Sequence, residues 1–127
     1  IINSSTLGNV TGDRYTGGLV GDAYSSLTIT NSSAKGSVTG THFNIGGFAG
    51  SAKTATSIEN SYSTGAVTGT SKVGGFVGSN SGEITNSFSA GAVSGTGENV
   101  GGFVGGDLTD GRRKAFVDLA VYFYCKV

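Results

Sequence analysis

Ile84-Thr85-Asn86-Ser87-Phe88-Ser89-Ala90-Gly91-Ala92-Val93-Ser94-Gly95 is one copy of a pattern that the chain writes four times. The other copies open at Ile1, Ile29 and Ile58, and their asparagines, Asn3, Asn31, Asn60 and Asn86, fall 28, 29 and 26 residues apart. Five positions after each Asn stands Gly8, Gly36, Gly65 or Gly91; seven after it, Val10, Val38, Val67 or Val93; nine after it, Gly12, Gly40, Gly69 or Gly95. A second block follows each copy: Gly17-Gly18-Leu19-Val20-Gly21, Gly46-Gly47-Phe48-Ala49-Gly50, Gly74-Gly75-Phe76-Val77-Gly78 and Gly101-Gly102-Phe103-Val104-Gly105. Length varies only in the spacers before the glycine pair and in residues 22–28, 51–57 and 79–83. Loops vary in this way when the elements they join must stay in register.

A unit of this length, built of short extended segments each ended by Gly, predicts an all-β fold. The expectation is a β-solenoid (β-helix) of about four ~28-residue coils, of either hand, stacked at the ~4.8 Å strand spacing. Each coil is expected to hold two or three extended segments, with Gly supplying positive-φ corners. Ile1/Ile29/Ile58/Ile84, Val10/Val38/Val67/Val93 and Val20/Ala49/Val77/Val104 are the expected interior ladders. Asn3/Asn31/Asn60/Asn86 are expected to form an amide ladder bonded from coil to coil.

Composition agrees. The 127 residues include 24 Gly and no Pro, Met or Trp, which disfavours helix. Apolar residues make up 36% of the chain and recur at fixed places, as a packed core needs and a flexible Gly/Ser linker lacks. Eight basic and eight acidic residues cancel. Arg112-Arg113-Lys114 is the one basic cluster, too short to follow a phosphate backbone, so no nucleic-acid partner is expected. No apolar run reaches the ~18–20 residues of a membrane span, so no membrane insertion is expected. Cys125 is the single cysteine, so no disulfide can form within the chain. A start at Ile1 fits a mature product or a piece of a larger protein.

The pattern divides the chain into a four-repeat solenoid, residues 1–106, and a non-repetitive segment, residues 107–127. Alternation in the latter predicts one long strand with Ala115, Val117, Leu119, Val121, Phe123, Cys125 and Val127 on one face. That face is too apolar to stand free. The strand therefore either caps the last coil or is donated to a neighbouring subunit, with Val117, Leu119, Val121, Phe123 and Cys125 as the candidate assembly residues.

Residues that could carry chemistry are sparse. His42 is the only histidine and sits in a spacer; an exposed, inert histidine is the expectation. Asp107 and Asp110-Gly111 supply two carboxylates near a turn, too few for a calcium loop. No metal-ligand spacing is present, no catalytic or cofactor-binding residue is assigned, and no enzyme activity is expected. Sequons stand at Asn3, Asn9 and Asn31.

Two kinds of row remain as candidate surfaces. Thr11, Thr39, Thr68 and Ser94 align, as do Asp13, Thr41, Thr70 and Thr96, giving hydroxyls along one face. Such rows resemble the threonine faces of ice-binding solenoids, but Asp13 and Ser94 break the array, and corner threonines that satisfy turn amides are the expectation. Phe48, Phe76 and Phe103, with Leu19, form an aromatic row, joined by Tyr62 and Phe88 on the neighbouring segment. Strict alternation would leave either Phe76 or Val77 outside, as a ridge for sugar rings or a protein; a bulge at the glycine pair would bury both.

Val73-Gly74-Gly75-Phe76-Val77-Gly78 followed by Ile84 to Gly95 resembles the GLUG repeat of bacterial extracellular and adhesin-like proteins, over roughly residues 1–106. The resemblance implies a secreted or cell-surface module, structural or adhesive, that meets a glycan, a protein or a second copy of itself, including as a filament subunit. It assigns no catalytic residues. Ice binding is the alternative, and a non-catalytic repeat fragment of a surface protease or depolymerase a third reading.

Overall fold

The computed structural model describes residues 1–107, 116–118 and 121–122. The described residues are strands, turns and bends with no helix, and they wind into a parallel β-solenoid of about four coils. Each coil contributes five short strand positions, more than the two or three expected. In the second coil these are Thr28–Thr30, Ser33–Ala34, Val38–Gly40, Phe43–Gly46 and Ala49–Ala52. Each position stacks on its counterpart one repeat away, giving five parallel sheets.

The registers are those of the repeat. Ile29 pairs with Ile58 and Ile58 with Ile84; Val10, Val38, Val67 and Val93 stack in order; Val20, Ala49, Val77 and Val104 do the same. Ile29, Ile58, Ile84, Val38, Val67, Val93, Ala49 and Val77 are buried, as the ladder reading requires; Val10, Val20 and Val104 are partly buried, and Ile1, expected inside, is 41% exposed and unpaired with Ile29. Each buried aliphatic side chain contributes about 1.5–3 kcal/mol relative to exposure, and stacking like on like keeps the packing uniform along the axis.

The core has two compartments. One holds the isoleucines, Phe48, Phe76 and Phe103; the other holds Val38, Val67 and Val93 with Ile45 and Val73. Between them lies a glycine seam. A Cβ on Gly46 would run into the carbonyl of Ala49, one on Gly74 into that of Val77, and one on Gly78 into the backbone of Asn44 and Ile45. The strands on either side of the Gly-Gly-Phe bend therefore lie backbone against backbone, which only glycine allows.

The positive-φ corners belong to other residues. None of the glycines from Gly8 to Gly101 has φ in the left-handed region, whereas Asn3, Asn31, Asn60 and Asn86 have φ of 51°, 51°, 51° and 46°. Asn tolerates this conformation better than other side-chain-bearing residues. The glycines five positions later are required for a different reason. A Cβ on Gly36, Gly65 or Gly91 would fall inside 3.0 Å of the carbonyl of the glycine one coil above.

The expected asparagine ladder reduces to one side-chain bond, from Asn86 Nδ2 to Asn60 Oδ1. The continuous polar ladder runs through the next residue. The N–H groups of Ser4, Ser32 and Ser61 donate to the hydroxyls of Ser32, Ser61 and Ser87 at 3.2, 3.1 and 3.2 Å. Each of those hydroxyls donates in turn to the carbonyl two residues before it in its own coil, at 2.8–2.9 Å. The left-handed corner breaks the backbone ladder at this point, and the serine side chain restores it.

The single long strand expected at the C-terminus is not what forms. Phe116–Asp118 and Val121–Tyr122 are separate strands that pair in parallel with Glu83–Thr85 and Phe88–Ser89 of the same chain. Val117 thus takes the register position of the isoleucines and Val121 that of Phe88, the start of a fifth turn. Alternation puts Val117 and Val121 on one face, whereas the positions they pair with differ, Ile84 being buried and Phe88 exposed. Leu119, Phe123 and Cys125 lie outside the described residues.

Candidate functional surface

Thr11, Thr39, Thr68 and Ser94 occupy the middle of the three-residue strands Val10–Gly12, Val38–Gly40, Val67–Gly69 and Val93–Gly95. They are consecutive Cα partners and all exposed, because Val and Gly on either side point inward. The inward glycines make room for the neighbouring strand: a Cβ on Gly40 would strike Ile45, and one on Gly95 would strike Val100.

Thr41, Thr70 and Thr96 are exposed too, but they sit at the bend that follows each of these strands. Thr41 donates to Asp13 Oδ1 at 2.6 Å, and Thr70 to the Thr41 carbonyl at 2.9 Å. They tie one corner to the next, and the two hydroxyl columns do not share a strand.

His42 is exposed and its Nδ1 bonds Asp13 Oδ1. Arg14 Nε lies 3.4 Å from the same carboxylate. The Thr41 hydroxyl and then the His42 ring hold the Asp13 carboxyl below the usual carboxylate range. Arg14 covers the Phe43 ring at 5.5 Å, Tyr15 meets Phe43 edge-on at 5.6 Å, and Lys53 covers Tyr15 at 5.4 Å. The repeat spacing aligns Asp13 with Thr41, but nothing local marks His42, Arg14 or Phe43 as their neighbours, because stacking joins residues a full coil apart. No group of three or more His, Cys, Asp or Glu suited to a metal ion occurs among the described residues.

Phe48, Phe76 and Phe103 form no surface ridge. They are buried and stacked, with centroids 4.6 and 4.9 Å apart. The chain bends at Gly75-Phe76 between two strands, so Phe76 and Val77 both turn inward and alternation does not apply. Ser63 and Ser89 brace that bend from inside by donating to the Gly75 and Gly102 carbonyls at 2.6 and 2.7 Å.

Of the aromatics aligned by the repeat, Tyr62 and Phe88 are the pair that reaches the surface. They stack at 5.1 Å and 4° on successive outward positions, with Phe88 37% exposed. The Lys35 ammonium stands 5.8 Å from the Tyr62 ring centroid. Ser33 first, then Lys35, lower the Tyr62 phenol from its ordinary range by hydrogen bonding. The Tyr62 ring is thus flanked by Phe88 and by the Lys35 ammonium.

No helix among the described residues is long and apolar enough to cross a membrane. Comparisons with curated proteins and with solved structures gave no match. Residues 41–68 match the family described as the GLUG motif. That stretch is one full turn, from the corner at Thr41 through the Phe48 bend and the Ile58 strand to Thr68, and the same registers continue through the coils on either side of it. Residues 41–68 of this β-solenoid carry the GLUG motif, and the coils on either side repeat its registers.

Proposed function

We propose that the module is a secreted or cell-surface element, structural or adhesive, that displays a rigid repetitive face to a glycan or a protein. The observation that carries this reading is the outward column Thr11, Thr39, Thr68 and Ser94, held in strand register and open to solvent. Hydroxyls repeating at about the 4.8 Å strand spacing offer donors and acceptors at fixed intervals. Because a bonded backbone already orders them, a partner that engages several of them meets little further ordering cost. The GLUG-type repeat supports a modular role of this kind.

The reading is tested in two steps. Labelling of intact producing cells with a membrane-impermeant reagent should tag the module, and recovery of it solely from the cytosol contradicts the placement. The purified chain should then retain at least one polysaccharide or surface protein from an array and lose it in Thr39→Lys/Thr68→Lys. Equal retention by that variant contradicts the assigned face.

A further inference from the structure

We draw no further inference here: the strongest candidate, the side-chain cluster at the corner where Arg14 covers Phe43, Tyr15 meets Phe43 edge-on and Lys53 covers Tyr15, carries none, because Arg14 is already paired with Asp13 and nothing in the structure shows what covers the rings.

Discussion

The Ser61 amide donates to the Ser87 hydroxyl 3.2 Å away in the next coil, and that hydroxyl donates to the Thr85 carbonyl at 2.8 Å. One side chain thus carries the hydrogen-bond ladder around a corner that the backbone alone cannot bridge. Ser61, 1% exposed, plays the same part for Ser32. Ser61→Ala should leave the buried Ser32 N–H without an acceptor and cost about 1–3 kcal/mol. Urea denaturation measures this; a change within about 0.3 kcal/mol would show that the ladder contributes nothing, since distant surface changes stay within about 0.5 kcal/mol.

The corner before that serine makes its own prediction. Asn60 has φ of 51°, a region open to Gly and costly for β-branched residues. Asn60→Gly should stay within about 1 kcal/mol of the wild type, while Asn60→Val should lose about 2 kcal/mol or more. Equal loss in both would mean that the amide, and not the backbone conformation, is what the position needs.

Phe76 and Phe88 are both stacked on an aromatic neighbour, yet Phe76 is buried and Phe88 is 37% exposed. Phe76→Ala should cost about 3–5 kcal/mol by opening a cavity beside the isoleucine ladder. Against a total stability of about 5–15 kcal/mol, this comes close to unfolding the chain. Phe88→Ala should cost roughly 1 kcal/mol, in the range of a solvent-facing aromatic pair. Calorimetric melting temperatures separate the two; similar values would contradict the burial pattern.

Most of the fold could be read in the chain because a solenoid repeats its contacts at the period of its sequence. The isoleucine and valine ladders follow directly from the spacing of Ile29, Ile58 and Ile84 and of Val38, Val67 and Val93. Corners were less legible. An invariant glycine suggests positive φ, but at Gly36 and Gly65 the constraint is a carbonyl from another coil, which no local pattern reveals. Asn before Ser, four times over, was the available sign of a left-handed corner, because Asn is the side chain that best accepts it. Alternation misled at Phe76-Val77, since a bend between two short strands resets the phase, and at Val117 and Val121, whose strands pair in two different sheets. The spacing aligned Asp13 with Thr41, but the approach of His42 to Asp13 comes from stacking and had no sequence signal.

That cluster gives a pH dependence. Hydrogen bonds from Thr41, then His42, depress the carboxyl of Asp13 in the folded chain. A depressed folded value means that its stabilisation is present above the unfolded carboxylate range, about pH 4, and is lost as pH falls through the folded value. Melting temperatures of the wild type and Asp13→Asn should therefore differ at pH 6 and converge as the pH is lowered below about 4. A constant difference across that range contradicts the assignment.

The central claim is that one repeat is one turn, with Thr39 seated beside Thr68 as Cα partners and Ser94 one layer further on. Neighbouring strands lie about 4.8 Å apart, within the span of a disulfide, and strands two layers apart lie at about twice that distance, beyond it. The direct measurement is intrachain disulfide formation under mild oxidation, with Cys125→Ser as background, followed by mass spectrometry of the peptides. Thr39→Cys/Thr68→Cys should cross-link readily in the monomer and Thr39→Cys/Ser94→Cys should not. Cross-linking of the second pair in preference to the first would contradict the coil assignment.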